Sequence, residues 1–203
     1  MADIPPYPDG PRDGVGPGLL ADRGRIGPID PEQLRPEQQD VFDRVAGTRG
    51  RVAGPFTVLL HAPTLADRVQ HLGAYLRYEA TLDRDIAETA VLATARVAGS
   101  PFEWDAHEPS AAKAGVPAEV ISLLRSGADA SAMPERYRVV SEYCRQLASS
   151  GQVSDDTYHA AVALLGREGG VELTVLVGYY LMLALTLSAH QVESPEARTA
   201  FRV

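Results

Sequence analysis

The chain has 203 residues, of which 45% are hydrophobic, and a formal net charge of −8. This size and composition suit one globular domain with a sizeable core. The negative charge, with no block of Lys or Arg, argues against nucleic acid or an anionic membrane surface as the main partner. We expect a small-molecule ligand, and an anionic one remains a candidate because a few local arginines suffice to bind it.

The cysteine content and the N-terminus bear on the compartment. Cys144 is the single cysteine, which excludes an internal disulfide and leaves no resolving thiol within the chain. The N-terminus has neither the basic start nor the apolar stretch of a secretory signal. A reducing cytoplasm is the natural expectation.

Residues 1–31 predict an extended arm. They hold seven prolines and six glycines, a composition that cannot sustain a helix or an ordinary strand. The arm is either mobile or laid across a neighbouring subunit, and the sequence does not choose between these.

The next elements predict helices. A first helix opens at Asp30-Pro31 and closes at Gly47 and Gly50, and a short apolar turn or helix covers Pro55 to Leu60. A longer helix begins at Pro63, with one apolar face formed by Leu65, Val69, Leu72, Leu76 and Tyr75. No stretch alternates with period two over a useful length, so the pattern indicates an all-helical chain.

The central segment predicts two successive helices joined by one tight break. Small and apolar residues run from Ala87 to Val97, and Gly99 ends that helix. Ser100, Pro101 and Glu103 then form an N-cap, a proline at the first helical position and a capping-box acid.

The remaining chain predicts further helices. They start near Pro117, Pro134 and Ser154, with stops at Gly127 and Gly166. The last, Val171 to Ala189, approaches the length of a bilayer span. It contains Glu172 and has no flanking basic cluster, which favours a helix buried in the core or between subunits.

Glu88 and His107 are the candidate chemical groups of the central pair. Glu88 lies on an otherwise small, apolar helix surface, where a charge must find a partner or take up a proton. His107 follows one turn after Glu103. A buried structural ion pair is the alternative to a catalytic pair.

This spacing resembles the carboxymuconolactone decarboxylase family, which includes the alkyl hydroperoxidase D group. There an acidic residue is followed by Cys-x-x-Cys at twelve and fifteen positions and by a histidine at nineteen. Counting from Glu88 gives Ser100, Glu103 and His107, so the acid and the histidine match and both cysteines are replaced. The segments Gly54 to Glu79, Glu103 to His107 and Glu172 to His190 further resemble cysteine-free members.

The resemblance implies an all-α fold, an alkyl hydroperoxidase D-like helical domain over residues 32–203 that follows the Pro/Gly-rich arm. It also implies a homo-oligomer, a trimer or a hexamer. Among the activities, it implies a decarboxylase-like lyase that acts on a small carboxylated lactone or ring acid. The lyase would use no cofactor, and the histidine and carboxylate spacing also predicts no metal site.

In such a lyase, His107 would move a proton and Glu88 would orient its ring. Ser100 and Glu103 are further catalytic candidates, although helix capping explains both. Candidate substrate-binding residues are Arg77, Arg84, Arg96, Trp104 and Tyr75. Two other functions stay open: a peroxidase relative that has lost its cysteine pair, and a non-catalytic helical oligomer or accessory subunit.

Overall fold

The structure, a computed structural model, describes residues 25, 26 and 29–192. Over these residues it holds eight α-helices, two short 3-10 helices and no strand, which confirms the predicted all-α class. The predicted arm lies almost entirely outside the described residues. The helices are α1 (Pro36–Arg49), α2 (Pro55–Leu59), α3 (Pro63–Tyr78), α4 (Arg84–Val97), α5 (Pro101–Lys113), α6 (Ala118–Ser126), α7 (Glu135–Ser150) and α8 (Asp155–His190).

The described residues fall into two compact units. The first contains α1 to α3 and the end of α8 from Thr186, and the second covers Glu79–Leu185. The single domain expected over residues 32–203 stays a prediction.

In the first unit, the predicted first helix is two elements. Asp30 caps a 3-10 turn, Pro31–Gln33, by accepting a hydrogen bond from the backbone N–H of Glu32. The α-helix begins only at Pro36 because a residue that precedes proline is disfavoured in the α conformation. It ends at Gly50 in the left-handed region, whereas the stop predicted at Gly47 was wrong.

The buried face of α3 is rotated away from the predicted stripe. Val69 and Leu76 are buried as expected, and the rest of the buried face is made of small or amide residues such as Ala66, Gln70 and Gly73. Three predicted members of the stripe are exposed instead: Leu65, Leu72 and Tyr75. A local hydrophobic pattern ranks leucine above alanine or glycine as a core residue, so it does not predict this face.

In the second unit, α4 is the central helix and packs against α5, α6 and α7. Every residue from Ile86 to Ala95 is buried. Many of these side chains are alanines, which let neighbouring helices approach on several sides. A polar group on this helix is therefore enclosed by protein.

The turn between α4 and α5 has the predicted glycine, N-cap serine and first-turn proline. Gly99 adopts a positive φ of 60°, which glycine tolerates without strain. Ser100 Oγ accepts a hydrogen bond from the backbone N–H of Glu103, and Pro101 occupies the first turn of α5. This turn sets α5 against α4.

The helical run α8 is interrupted at Gly166, where φ is 73° and ψ is 176°. The predicted helix stop at this glycine therefore coincides with a break within one long run. By length and composition α8 would be able to cross a membrane, yet 56% of its most apolar window is buried inside the protein. Its buried Glu172 accepts hydrogen bonds from the backbone N–H and the hydroxyl of Thr81, as expected for a core helix.

Candidate functional site

The helix pair α4 and α5 brings Glu88 and His107 into direct contact. Nδ1 of His107 lies 2.8 Å from Oε2 of Glu88, and the two side chains are 5% and 2% exposed. A carboxylate at this distance accepts a hydrogen bond from Nδ1–H and fixes the orientation of the ring. The predicted pairing of these two residues is therefore present in the structure.

Arg84 binds the other oxygen of Glu88. Its Nη2 lies 2.6 Å from Oε1 of Glu88, and its own side chain is 42% exposed. The two residues are four apart on α4, the spacing at which helix side chains meet. Glu88 is thus shared between a cation near solvent and a buried imidazole, which compensates its loss of hydration.

Glu103 places a second carboxylate near the same imidazole. Its Oε2 lies 3.9 Å from Nε2 of His107, one turn away on α5, and Glu103 is buried. The expectation that this side chain caps the helix was wrong, because the backbone N–H of Ser100 donates to the carbonyl of Ala95 instead. His107 therefore has one carboxylate on each side.

Tyr180 completes the surroundings of the imidazole. Its ring meets the ring of His107 edge-on, with centroids 4.9 Å apart and an interplanar angle of 86°. Tyr180 lies on α8, and no local spacing relates it to His107. The sequence reasoning placed Tyr180 among packing residues and missed this contact.

The family comparison covers this helix pair. Residues 63–141 match the carboxymuconolactone decarboxylase family. This region of the chain belongs to that family. The matched region contains Arg84, Glu88, Glu103 and His107, whereas Tyr180 lies beyond its end.

A solved structure supports the helical fold of this chain. It is a protein of unknown function from Agrobacterium tumefaciens, named a putative antioxidant defence protein AhpD. The likeness covers 68% of this chain and 95% of that one, with a TM-score of 0.58 and 19% sequence identity. At that identity the likeness shows the fold alone. A comparison with curated proteins gives no match.

The other predicted site residues lie in different surroundings. Ser100 is the buried cap of α5. Trp104 is fully buried, and its Nε1 donates to Oε2 of Glu108, 3.0 Å away. Arg96 follows Glu88 by eight residues, about 12 Å along the helix axis at ~1.5 Å per residue, and its Nε donates to the carbonyl of Arg125. Arg77 and Tyr75 lie on α3 in the first unit.

Besides the imidazole, the candidate chemical groups are the thiol and the metal-ligating side chains. Burial raises the pKa of the Cys144 thiol to about 12, so it is a neutral thiol at physiological pH. Among residues 25, 26 and 29–192, no three His, Cys, Asp or Glu side chains gather as metal ligands would. The chemistry that the described site supports is proton transfer through an oriented imidazole.

Proposed function

We propose that this member of the carboxymuconolactone decarboxylase family is a lyase that removes carbon dioxide from a small carboxylated lactone or ring acid. The observation that carries the proposal is the buried contact of Glu88 with Nδ1 of His107. A carboxylate that holds one imidazole nitrogen commits the other nitrogen to proton exchange, the division of labour found in acid–base pairs.

The proposed reaction begins with the imidazolium form of His107. Nδ1–H is held by Glu88, and Nε2–H, on the side of Glu103, is the proton to be transferred. The bond between the ring carbon and the substrate carboxylate breaks, its electron pair moves into a conjugated carbonyl or double bond, and carbon dioxide leaves. The proton of Nε2 then passes to the ring carbon, and the neutral imidazole takes a new proton from solvent.

Arg84 and Glu103 set the charge of the pair during this cycle. When His107 is protonated and both carboxylates are ionised, the cluster of Arg84, Glu88, Glu103 and His107 has two positive and two negative charges. A charge-balanced cluster is the arrangement that a buried site tolerates best. Transfer of the proton leaves one net negative charge, and uptake of a proton from solvent restores the balance.

A structural role is the second candidate, and the burial of the pair favours it. An ion pair this well enclosed also links α4 to α5, and breaking a buried pair is costly by about 3–5 kcal/mol. Under this reading, replacement of His107 changes stability and no activity exists to be lost.

One experiment distinguishes the lyase from the purely structural role. The protein is incubated with a panel of small carboxylated lactones and unsaturated ring acids, headed by carboxymuconolactone, and carbon dioxide release is measured. We expect release above the buffer rate for at least one acid. His107→Gln should lower the rate of release by about 10²–10⁴-fold, and His159→Gln, a change of an exposed histidine on α8, should not change it.

The proposal fails if no acid in the panel reacts faster than in buffer, or if His107→Gln keeps the wild-type rate. A thermal melt of each variant shows whether it is folded when assayed.

A further inference from the structure

The second unit contains a groove away from the Glu88 and His107 pair. It lies between the C-terminal half of α4, the end of α6, the connection to α7, and α7 itself, with a cavity volume of 770 Å³. Its walls include apolar groups, among them Ala93, Val97, Leu124 and Met133. Its charged groups are three arginines and two carboxylates: Arg96, Arg138, Arg145, Asp129 and Glu142. A mixture of apolar wall and few charged groups is typical of small-molecule sites.

Arg96 is held in place by the end of α6. Its Nε donates to the carbonyl of Arg125, 3.1 Å away. Gly127, at a φ of 67°, leaves room for the guanidinium, since a Cβ there would lie 3.0 Å from Nη2 of Arg96. The positive φ favours glycine at this position, and the missing side chain leaves Arg96 the space in which it makes its hydrogen bond to Arg125.

Both carboxylates of the groove have partners within the chain. Glu142 accepts from Nε and Nη2 of Arg145 at 2.8 and 2.5 Å. Asp129 accepts from the backbone N–H and the hydroxyl of Ser131. These hydrogen bonds lower the pKa of each carboxyl group, so both are ionised at neutral pH and satisfied without a ligand.

Arg138 differs from the other two arginines of the groove in its hydrogen-bond partners. It is exposed on α7, one turn before Glu142, yet that carboxylate is bound by Arg145 and Gln146 instead. Its guanidinium makes no hydrogen bond or ion pair with any residue that the structure describes. Three arginines against two carboxylates leave one net positive charge, and Arg138 is the arginine whose donors remain available.

We propose that this groove binds a small monocarboxylic acid with an apolar body, with Arg138 taking the carboxylate and the Ala93, Val97 and Met133 wall taking the body. The planar guanidinium fork matches a carboxylate with two parallel hydrogen bonds. None of the residues lining the groove belongs to the Glu88 and His107 cluster, so the site is separate and does not depend on the proposed lyase activity.

Two methionines give a direct readout of binding. Met133 lines the groove, whereas Met182 lies on α8 and does not. The protein is labelled with ¹³C at the methionine methyl groups and titrated with benzoate, with benzamide as the neutral isostere and with inorganic phosphate as an anion without an apolar body. We expect a saturable shift of the Met133 signal with benzoate alone, and an unchanged Met182 signal.

Variants at the arginines assign the charge contact. Loss of charge-assisted hydrogen bonds should weaken benzoate binding by about tenfold in Arg138→Gln, whereas Arg138→Lys keeps part of the affinity. Arg167→Gln, an exposed arginine of α8 outside the groove, should bind as the wild type does. The inference is overturned if benzoate leaves Met133 unshifted, if benzamide or phosphate shifts it equally, or if Arg138→Gln binds benzoate as tightly as Arg167→Gln.

Discussion

Nδ1 of His107 lies 2.8 Å from Oε2 of Glu88, although nineteen residues separate the two in the chain. The contact depends on the turn at Gly99, which ends α4, and on the cap at Ser100, which starts α5. The arginine on the solvent side of Glu88 and the carboxylate beyond His107 extend this contact into a line of four charged or chargeable groups.

Removal of the Arg84 side chain should lower the rate of carbon dioxide release without abolishing it. Arg84→Gln takes away the 2.6 Å contact to Glu88 and leaves that carboxylate with less charge compensation. Because the arginine is partly exposed and screened by solvent, we expect about a tenfold loss of carbon dioxide release. Arg84→Lys should recover part of it.

The matched control is Arg44→Gln, which breaks a surface ion pair with Asp67 in the first unit. A loss of the same size in this control would show that the effect of Arg84→Gln is not specific to the site.

The protein should lack thiol-dependent peroxidase turnover. Ser100 and Glu103 stand where a cysteine pair would be required, and Cys144 is buried as a neutral thiol. Consumption of an organic hydroperoxide with a dithiol reductant should equal the rate in buffer. Rapid consumption that disappears in Cys144→Ser would contradict this.

The buried Cys144 thiol should make the free energy of unfolding fall with rising pH in the alkaline range. Its pKa rises from 9.0 to about 12 on folding, so between these values the unfolded chain loses a proton that the folded chain keeps. Stability therefore falls as pH rises through this range, by up to about 1.4 kcal/mol per pH unit from this group.

Urea unfolding of the wild type and of Cys144→Ala from pH 8 to 11 isolates the contribution. The raised pKa of Tyr137, which is caused by burial and by Asp85, acts in the same direction in both proteins and cancels in the difference. Equal slopes for the two proteins would show that the thiol does not contribute.

The predicted homo-oligomer has a candidate surface on α8. Val171, Val175 and Leu185 are 65%, 39% and 60% exposed and lie at spacings that share one helix face. A soluble monomer rarely exposes such a stripe, and a second copy of the chain is the proposed cover. Light scattering from low micromolar concentration upward should give a trimer or a hexamer.

Leu185→Glu should lower that mass, whereas Ala118→Glu, the same added charge at an exposed residue of α6, should not. A wild-type mass that corresponds to a monomer at every concentration would contradict the predicted homo-oligomer.

The sequence predicted the helices and the central pair well because both depend on local chemistry. Ser100 starts a helix because its side chain accepts a backbone hydrogen bond, and Pro101 does so because its φ is fixed. Gly166 marks a break because glycine tolerates a positive φ. The role of Glu103 was misread because a capping box and a buried carboxylate have the same spacing. The buried face of α3 and the contact of Tyr180 with His107 depend on packing between helices distant in sequence, which no local pattern contains.

The most direct test of whether His107 delivers the proton is to follow that proton into the product. With the acid that releases carbon dioxide fastest, the reaction is run in D₂O, and the product is examined by NMR at the carbon that carried the carboxylate. If His107 delivers the proton, the wild type places one deuterium on a single face of that carbon. His107→Gln should then be slower by about 10²–10⁴-fold and give deuterium on both faces. Wild-type rate and stereochemistry retained in His107→Gln would contradict the account.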